Sequence, residues 1–257
     1  MKRTSFIFLL LLFSFSAIAQ NSVNKSLKSI KTMGDPTQKL FQAENIAKEL
    51  FRLVEERRLI VPGKSEQELS DEIAKLAKET FGIEKYWHKK IVRTGKNTLH
   101  SFSGNPPDLI IQEDDILFID FAPIVEGWEA DLGRTYVMGN DPLKLKLKTD
   151  VEEAWQVANT WYSKQTNLTG AEFFNYLTAL AKRYGWEFGG EIGGHIVGPF
   201  PHEQPDDPKD LCLDVHPDNH KDILQRDKNG NRRHWILEVQ FIDRKNNMGA
   251  YIEQLLR

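Results

Sequence analysis

The sequence has 257 residues, of which 40% are hydrophobic and 28% are charged, and its formal net charge is -3. This length and balance are typical of one globular domain whose core is large enough to fold without disulfides. The single cysteine, Cys212, excludes an intramolecular disulfide. No basic stripe is present, which argues against nucleic acid as a partner.

The N-terminus has the pattern of a cleavable export signal at residues 1–19. A positively charged start precedes the apolar run 6–15, and residues 17–19 read Ala-Ile-Ala, the small-x-small pattern that signal peptidase accepts. The apolar run is shorter than the roughly 20 residues that a membrane-spanning helix needs. We therefore expect cleavage before Gln20, export to the periplasm or beyond the cell, and no membrane contact afterwards.

Residues 20–34 are polar and lack helical or strand periodicity, so they are predicted to form an N-terminal tail. Residues 35–257 are predicted to form the functional domain. Within this range the chain repeats one order of elements, two helices and then strands.

The first half of the domain begins with apolar residues at helical spacing between Leu40 and Val54. Ser65 and Glu68 predict a capping box for a second helix, which ends at Gly82. Strand patterns follow at 91–93, at 116–121 and at 131–137.

The second half repeats this plan. A helix is predicted from about residue 143 to residue 163, and Thr169 with Glu172 caps the next, which ends at Gly185. Strand patterns follow around residue 195, at 235–242 and at 250–256. These elements predict an α+β fold of two pseudo-symmetric helix-helix-strands halves, and a cleft at their seam is a natural place for a site.

Two aspartates stand out because they occur where apolar residues are expected. Asp120 lies inside the strand ILFIDFAP, and Asp131 follows 11 residues later across a turn. A hairpin could bring both carboxylates to one face, where they would repel each other unless a cation lay between them. Alternatively, Asp131 pairs with Arg134, or Asp120 caps a backbone group.

Two histidines and two glutamates extend this set of candidates. Gly193-Gly194 precedes His195, and His202 follows seven residues later. Glu238 in WILEVQF and Glu253 in GAYIEQLL are again charges within apolar strands. Four buried acids with a histidine are more simply explained by metal ions than by ion pairs, and this ligand mix suits manganese, iron, cobalt or zinc.

The set resembles the metal ligands of the pita-bread metallopeptidases, the superfamily of methionine aminopeptidase, aminopeptidase P, prolidase and creatinase. The matching residues, in the family's order, are Asp120, Asp131, His195, Glu238 and Glu253. The resemblance covers roughly residues 35–257. It implies the pita-bread fold and two divalent metal ions. It also implies that Asp131 and Glu253 bridge the ions, that Asp120 holds one ion, and that His195 and Glu238 hold the other.

The resemblance further implies the roles of the remaining site residues. Glu238 is expected to carry a proton to the leaving amine, and His202 to position the substrate or stabilise the oxyanion. The family has another histidine that contacts substrate, for which His100 is the first candidate and His88 the alternative.

The sequence therefore predicts an exported, dinuclear-metal-dependent peptidase that releases an N-terminal residue from a peptide substrate. Preferences for Xaa-Pro, for methionine and for dipeptides stay open, as do the physiological metal and the oligomeric state. The alternatives are a non-catalytic peptide- or protein-binding module of the same fold and a creatinase-type C–N hydrolase.

Overall fold

A computed structural model describes residues 23–257 and arranges them as helices packed on a seven-stranded antiparallel sheet, with a separate two-stranded sheet. The predicted export signal lies outside these residues. The helices are α1 (23–32), α2 (Pro36–Glu56), α3 (Glu66–Phe81), α4 (Pro142–Tyr162) and α5 (Gly170–Tyr184). The strands are β1 (Ile91–Thr94), β2 (Ile116–Phe121), β3 (Ile124–Val125), β4 (Trp128–Glu129), β5 (Leu132–Val137), β6 (Glu187–Phe188), β7 (Gly194–Val197), β8 (His234–Asp243) and β9 (Met248–Leu255). A 3-10 helix, Gly95–Leu99, follows β1.

The duplicated helical signals are present as predicted. α3 and α5 each begin with a complete capping box, formed by Ser65 with Glu68 and by Thr169 with Glu172. Each helix also ends at a glycine in the left-handed region, with φ of 68° at Gly82 and 87° at Gly185.

The prediction of a polar tail is wrong for residues 23–32, which form α1. Val23 and Ile30 are buried in the core beside α2 and α3. They are seven residues apart, which is two helical turns, so both lie on one face of the helix. Leu27 packs against the same core, so Val23, Leu27 and Ile30 have the i, i+4, i+7 spacing of one helix face, which the interpretation of this segment as a polar tail overlooked.

The main sheet joins the two halves of the domain. Its order is β1-β2-β5-β9-β8, and β6 and β7 both pair with β8 along its other side. The first half supplies β1, β2 and β5, and the second supplies β6 to β9. They meet where Gly133 of β5 pairs with Glu253 of β9, which confirms the predicted α+β architecture.

Each half has its own core on the face of the sheet that the helices cover. One core contains α1, α2 and α3 with Leu117, Ile119 and Phe121 of β2, and the other contains α4 and α5 with Leu237 and Val239 of β8. Successive strand residues point to opposite faces, so Asp120 and Glu238 face away from the helices. Within residues 23–257, no helix has the length and apolar character needed to cross a bilayer.

Candidate metal centre

Three carboxylates lie in one row across the sheet. Asp120 of β2 pairs with Gly133 of β5, Gly133 pairs with Glu253 of β9, and Glu253 pairs with Glu238 of β8. Directly paired residues of antiparallel strands point to the same face. The register therefore places all three carboxylates side by side on the open face.

Gly133 leaves the space in which these side chains meet. A Cβ at this position would lie 2.5 Å from Cε1 of Tyr251 and 2.9 Å from Cβ of Glu253. These separations are shorter than van der Waals contact, so the row accommodates only a glycine between Asp120 and Glu253.

Asp131, directly before β5, and His195, on β7, complete the predicted set. Nε2 of His195 lies 3.4 Å from Oδ2 of Asp131, 3.4 Å from Oε1 of Glu253 and 3.6 Å from Oε1 of Glu238. The structure thus brings all five residues predicted as metal ligands to one place.

His88, which the sequence suggested only as an alternative substrate contact, also lies in this cluster. It precedes β1, and its Nε2 lies 3.2 Å from both carboxylate oxygens of Asp131 and 3.6 Å from Oδ1 of Asp120. Asp131 is therefore common to two groups, one with His88 and Asp120 and one with His195 and Glu253.

The alternative pairing of Asp131 with Arg134 is wrong. The guanidinium of Arg134 donates instead to the backbone carbonyls of Gly133 and Glu253 and to the side-chain oxygen of Gln254. The acidic cluster is not neutralised by this arginine.

Two carboxylate oxygens of the cluster, Oδ1 of Asp120 and Oε2 of Glu253, are buried and have no hydrogen-bond partner among the described residues. This also argues against Asp120 as a backbone cap. Leaving a buried polar atom unpaired costs roughly 1–3 kcal/mol, and more when it is charged. Carboxylate oxygens and imidazole nitrogens are the ligands of borderline-hard divalent ions, so these residues fit a metal centre.

Burial and mutual repulsion control the protonation of the cluster. Burial, with the neighbouring charge of Glu253, raises the pKa of Asp120 well above its ordinary value. Burial also raises the pKa of Glu238 to about 7 and that of Glu253 to about 8. Burial opposes ionisation of Asp131 too, but the charge of His88 and hydrogen bonds from the histidines hold its pKa at about 2. Protons therefore occupy part of the cluster near neutral pH in the absence of another cation.

Trp87 supports the histidines around the centre. Its indole packs edge-on against His88 at 4.6 Å, against His195 at 5.1 Å and against His202 at 5.5 Å between ring centroids. Its Nε1–H donates to the carbonyl of Ala130 over 3.1 Å. One rigid ring thus restricts the orientation of three imidazoles.

His202 lies in the long connection between β7 and β8 and is held by Glu129 of β4. Its Nδ1 hydrogen-bonds to Oε2 of Glu129 over 2.8 Å, and its backbone N–H donates to Oε1 over 3.1 Å. The backbone N–H of Gly198 donates to the same carboxylate. Through these hydrogen bonds Glu129, which is 1% exposed, ties the loop to β4.

A cavity of about 390 Å³ lies over the open face of the sheet. His202 and His100 both line it, and His100 is exposed on the wall. The substrate role of His100 stays a prediction, whereas His88 is the upstream histidine that contacts the acidic cluster. Other residues of the lining include Trp87, Phe102, Ile192, Pro205, Leu211 and Tyr251.

Sequence reasoning missed Glu129 and Tyr251. The hydroxyl of Tyr251 donates to Oε2 of Glu238 over 3.1 Å. Tyr251 lies two residues before Glu253 on one strand, so strand alternation could have placed it on the same face. Glu129 has no comparable signal, because its partner His202 is 73 residues away in the sequence.

Comparison with known proteins gives the class of this chain. Residues 38–234 match the profile of metallopeptidase family M24, and the chain belongs to this family. This confirms the resemblance to the pita-bread metallopeptidases. No match was found among curated protein sequences.

Solved structures share the fold at low sequence identity. A prolidase from Pyrococcus horikoshii OT3 has a TM-score of 0.68 at 22% identity, over 87% of this chain and 59% of that chain. An X-Pro aminopeptidase from Thermotoga maritima MSB8 has a TM-score of 0.67 at 22% identity, over 85% and 56%. A methionine aminopeptidase from Thermotoga maritima has a TM-score of 0.64 at 16% identity, over 87% and 92%. This chain therefore spans less than two thirds of the prolidase and of the X-Pro aminopeptidase.

Proposed function

We propose that this chain is a metal-dependent peptidase that releases the N-terminal residue of a peptide. The observation that carries the proposal is the row formed by Asp120, Glu253 and Glu238, with Asp131 and His195 beside it, facing one cavity. Membership of a metallopeptidase family supports the reaction class.

The five residues would hold two divalent ions. Asp120, Asp131 and Glu253 would hold one, and His195 and Glu238 would complete the other with the shared carboxylates. Ions bound there would polarise the scissile carbonyl and acidify the attacking water. The unpaired oxygens of Asp120 and Glu253 support this assignment, because cations would satisfy both.

Glu238 is the carboxylate best placed to move a proton. Its side chain is 12% exposed, whereas those of Asp120, Asp131 and Glu253 are 5%, 0% and 2% exposed. Because it is the most exposed of the four carboxylates, Glu238 can carry a proton to the leaving amine. The hydroxyl of Tyr251 holds one of its oxygens in place.

His202, which lines the same cavity, would act on the substrate. Glu129 holds its Nδ1, so Nε2 is the ring nitrogen available to the cavity. From there it can position the scissile carbonyl or donate to the developing oxyanion.

The direct test is mass-spectrometric analysis of a mixed peptide library incubated with the manganese-loaded protein and with a chelated control. We expect metal-dependent loss of one N-terminal residue. The residues around the cut would show whether the enzyme prefers Xaa-Pro, methionine or dipeptide substrates. A protein that binds no metal and cleaves no peptide would contradict the proposal and favour a binding module of the same fold.

We also propose that the protein is exported, which rests on the signal pattern of residues 1–19. N-terminal sequencing of the mature protein from its native cell tests this. The proposal requires a mature chain that begins at Gln20, and an intact Met1 in the isolated protein would contradict it.

A further inference from the structure

The centre has two histidines in matching arrangements. His195 uses Nδ1 to contact the carbonyl of the next residue, Ile196, over 2.9 Å. His88 does the same with the carbonyl of Lys89 over 2.7 Å. In both residues Nε2 then faces the carboxylates.

This arrangement is the usual one for histidine that binds a metal. A ligating imidazole commonly donates its other N–H to a backbone carbonyl, which fixes the tautomer and directs the free lone pair at the ion. With Nδ1–H donating to Lys89, Nε2 is the nitrogen of His88 that faces Asp120 and Asp131. Without metal it donates to Asp131, and loss of that proton would give its lone pair to an ion.

The distances around the two imidazoles also match. Nε2 of His88 lies 3.2 to 3.6 Å from carboxylate oxygens of Asp131 and Asp120. Nε2 of His195 lies 3.4 to 3.6 Å from its own carboxylate partners. Two atoms that each lie about 2.0–2.2 Å from one ion are roughly 3.0–3.5 Å apart, so both sets of separations suit shared ligation.

The unpaired oxygen of Asp120 lies on the His88 side of the cluster. Its Oδ1 is buried, has no hydrogen-bond partner among residues 23–257, and is the oxygen that Nε2 of His88 approaches at 3.6 Å. This separation is too long for a hydrogen bond but suits two ligands of one ion. A cation held between them would satisfy both atoms.

We propose that His88 is a sixth protein ligand of the centre, bound through Nε2 to the ion held by Asp120 and Asp131. This inference rests on the proposed metal-dependent function. Among the five ligands predicted from the sequence, only His195 is a histidine, so only one ion would have an imidazole ligand. With His88 as a sixth ligand, each ion would have one. Trp87 packs edge-on against both rings.

The alternative is that His88 is only a hydrogen-bond or ion-pair partner of Asp131. In that case His88 would move away from Asp131 when metal binds. Two variants separate these roles. His88→Ala removes the ring, and His88→Gln keeps a polar group that can donate to Asp131 but lacks the imidazole nitrogen. His202→Ala is the matched control, because His202 also contacts Trp87 but is held by Glu129.

The experiment measures Mn²⁺ binding to the full-length chain by equilibrium dialysis, and nitrogen coupling to the bound Mn²⁺ by pulsed electron paramagnetic resonance. We expect two ions in the wild-type chain and the His202→Ala control. Both His88 variants should bind one of these ions about 10- to 100-fold more weakly or worse. Nitrogen coupling should persist in His195→Ala and disappear only when His88 is also replaced.

Unchanged Mn²⁺ affinity in both His88 variants, or loss of all nitrogen coupling in His195→Ala alone, would overturn the inference. In either case a wild-type chain that binds two ions and cleaves peptides would leave the proposed function intact. A wild-type chain that binds no Mn²⁺ would overturn the function and the inference together.

Discussion

His202 donates its Nδ1–H to the buried carboxylate of Glu129 over 2.8 Å. The other oxygen of this carboxylate accepts the backbone N–H of His202, and Gly198 donates to the first. One acid on the short strand β4 thereby sets both the path of the loop and the tautomer of its imidazole. Glu129 should therefore affect catalysis without contacting substrate.

Replacing Glu129 with glutamine should lower kcat. The amide has nearly the same size, but its NH2 group can oppose the Nδ1–H and favour the wrong tautomer of His202. We expect a loss of roughly 10- to 100-fold, typical when a partner that orients an active-site histidine is removed. Metal content should stay at the wild-type level, and kinetics with metal analysis check both values. An equal loss of bound metal would show that Glu129 instead supports the centre.

Gly133→Ala should disrupt the row of carboxylates. The added methyl group would lie 2.5 Å from Tyr251 and 2.9 Å from Cβ of Glu253, so these side chains must move. Overpacking of this kind costs about 1–3 kcal/mol, and displacement of Glu253 should also weaken metal binding. Thermal unfolding and metal titration provide the measurements.

Gly34→Ala is the matched control for this change, because an added Cβ at residue 34 meets no atom within 4 Å. It should keep the wild-type metal affinity. Normal metal binding by Gly133→Ala would show that the row tolerates a side chain at its centre.

Much of the centre could be predicted because strand residues reveal their own burial. Asp120, Glu238 and Glu253 each interrupt an apolar run, and an isolated acid in a buried strand requires a partner. The capping boxes at Ser65 and Thr169 are equally local signals, and they predicted where α3 and α5 begin. These features need only a few neighbouring residues to be recognised.

The remaining features depend on contacts between distant segments. The pairing of Gly133 with Glu253 sets the row, but the sequence gives no register between strands 120 residues apart. Likewise, His88 reaches Asp131 only because the segment before β1 folds over the sheet. His100 was the first candidate because it is nearer to Asp120 in the sequence, and nothing local distinguished it from His88.

Glu253→Gln should raise the stability of the metal-free chain and weaken its metal binding. Burial and the charges of Asp131 and Glu238 raise the pKa of Glu253 to about 8, so its ionised form is unfavourable in the folded chain without metal. The neutral amide removes this repulsion. We expect the chelated variant to unfold at a higher temperature than the chelated wild type at pH 8, but to bind metal at least about tenfold more weakly.

Glu79→Gln is the control for Glu253→Gln, since Glu79 is an exposed acid on α3. It should change neither the unfolding temperature nor metal binding appreciably. Metal affinity of Glu253→Gln equal to that of the wild type would refute the assignment of Glu253 as a ligand.

The stabilisation that metal gives should increase from pH 5 to pH 8. The raised pKa values of Glu238 and Glu253 mean that the folded, chelated chain keeps protons that the unfolded chain releases above about pH 4.5. The free energy of unfolding of the chelated chain therefore falls as pH rises toward 8.

His88 acts in the same direction, because burial opposes its charge but Asp131 and Asp120 raise its pKa to about 10. Its stabilising contribution is complete below pH 6.5 and is lost as pH rises through 10. The lowered pKa of Asp131 contributes only below about pH 4.

Metal binding requires the deprotonated ligands, so it displaces these protons and is favoured as pH rises. The difference in Tm between manganese-loaded and chelated protein should therefore widen at each step from pH 5 through 6.5 to 8. Each 1 kcal/mol of added stability corresponds to about 2–4 °C for a chain of this size. Differential scanning calorimetry at fixed metal and chelator concentrations measures the difference, and Glu253→Gln should reduce its pH dependence. A constant difference across this range would mean that the cluster is already ionised without metal, contrary to the pKa values that its burial produces.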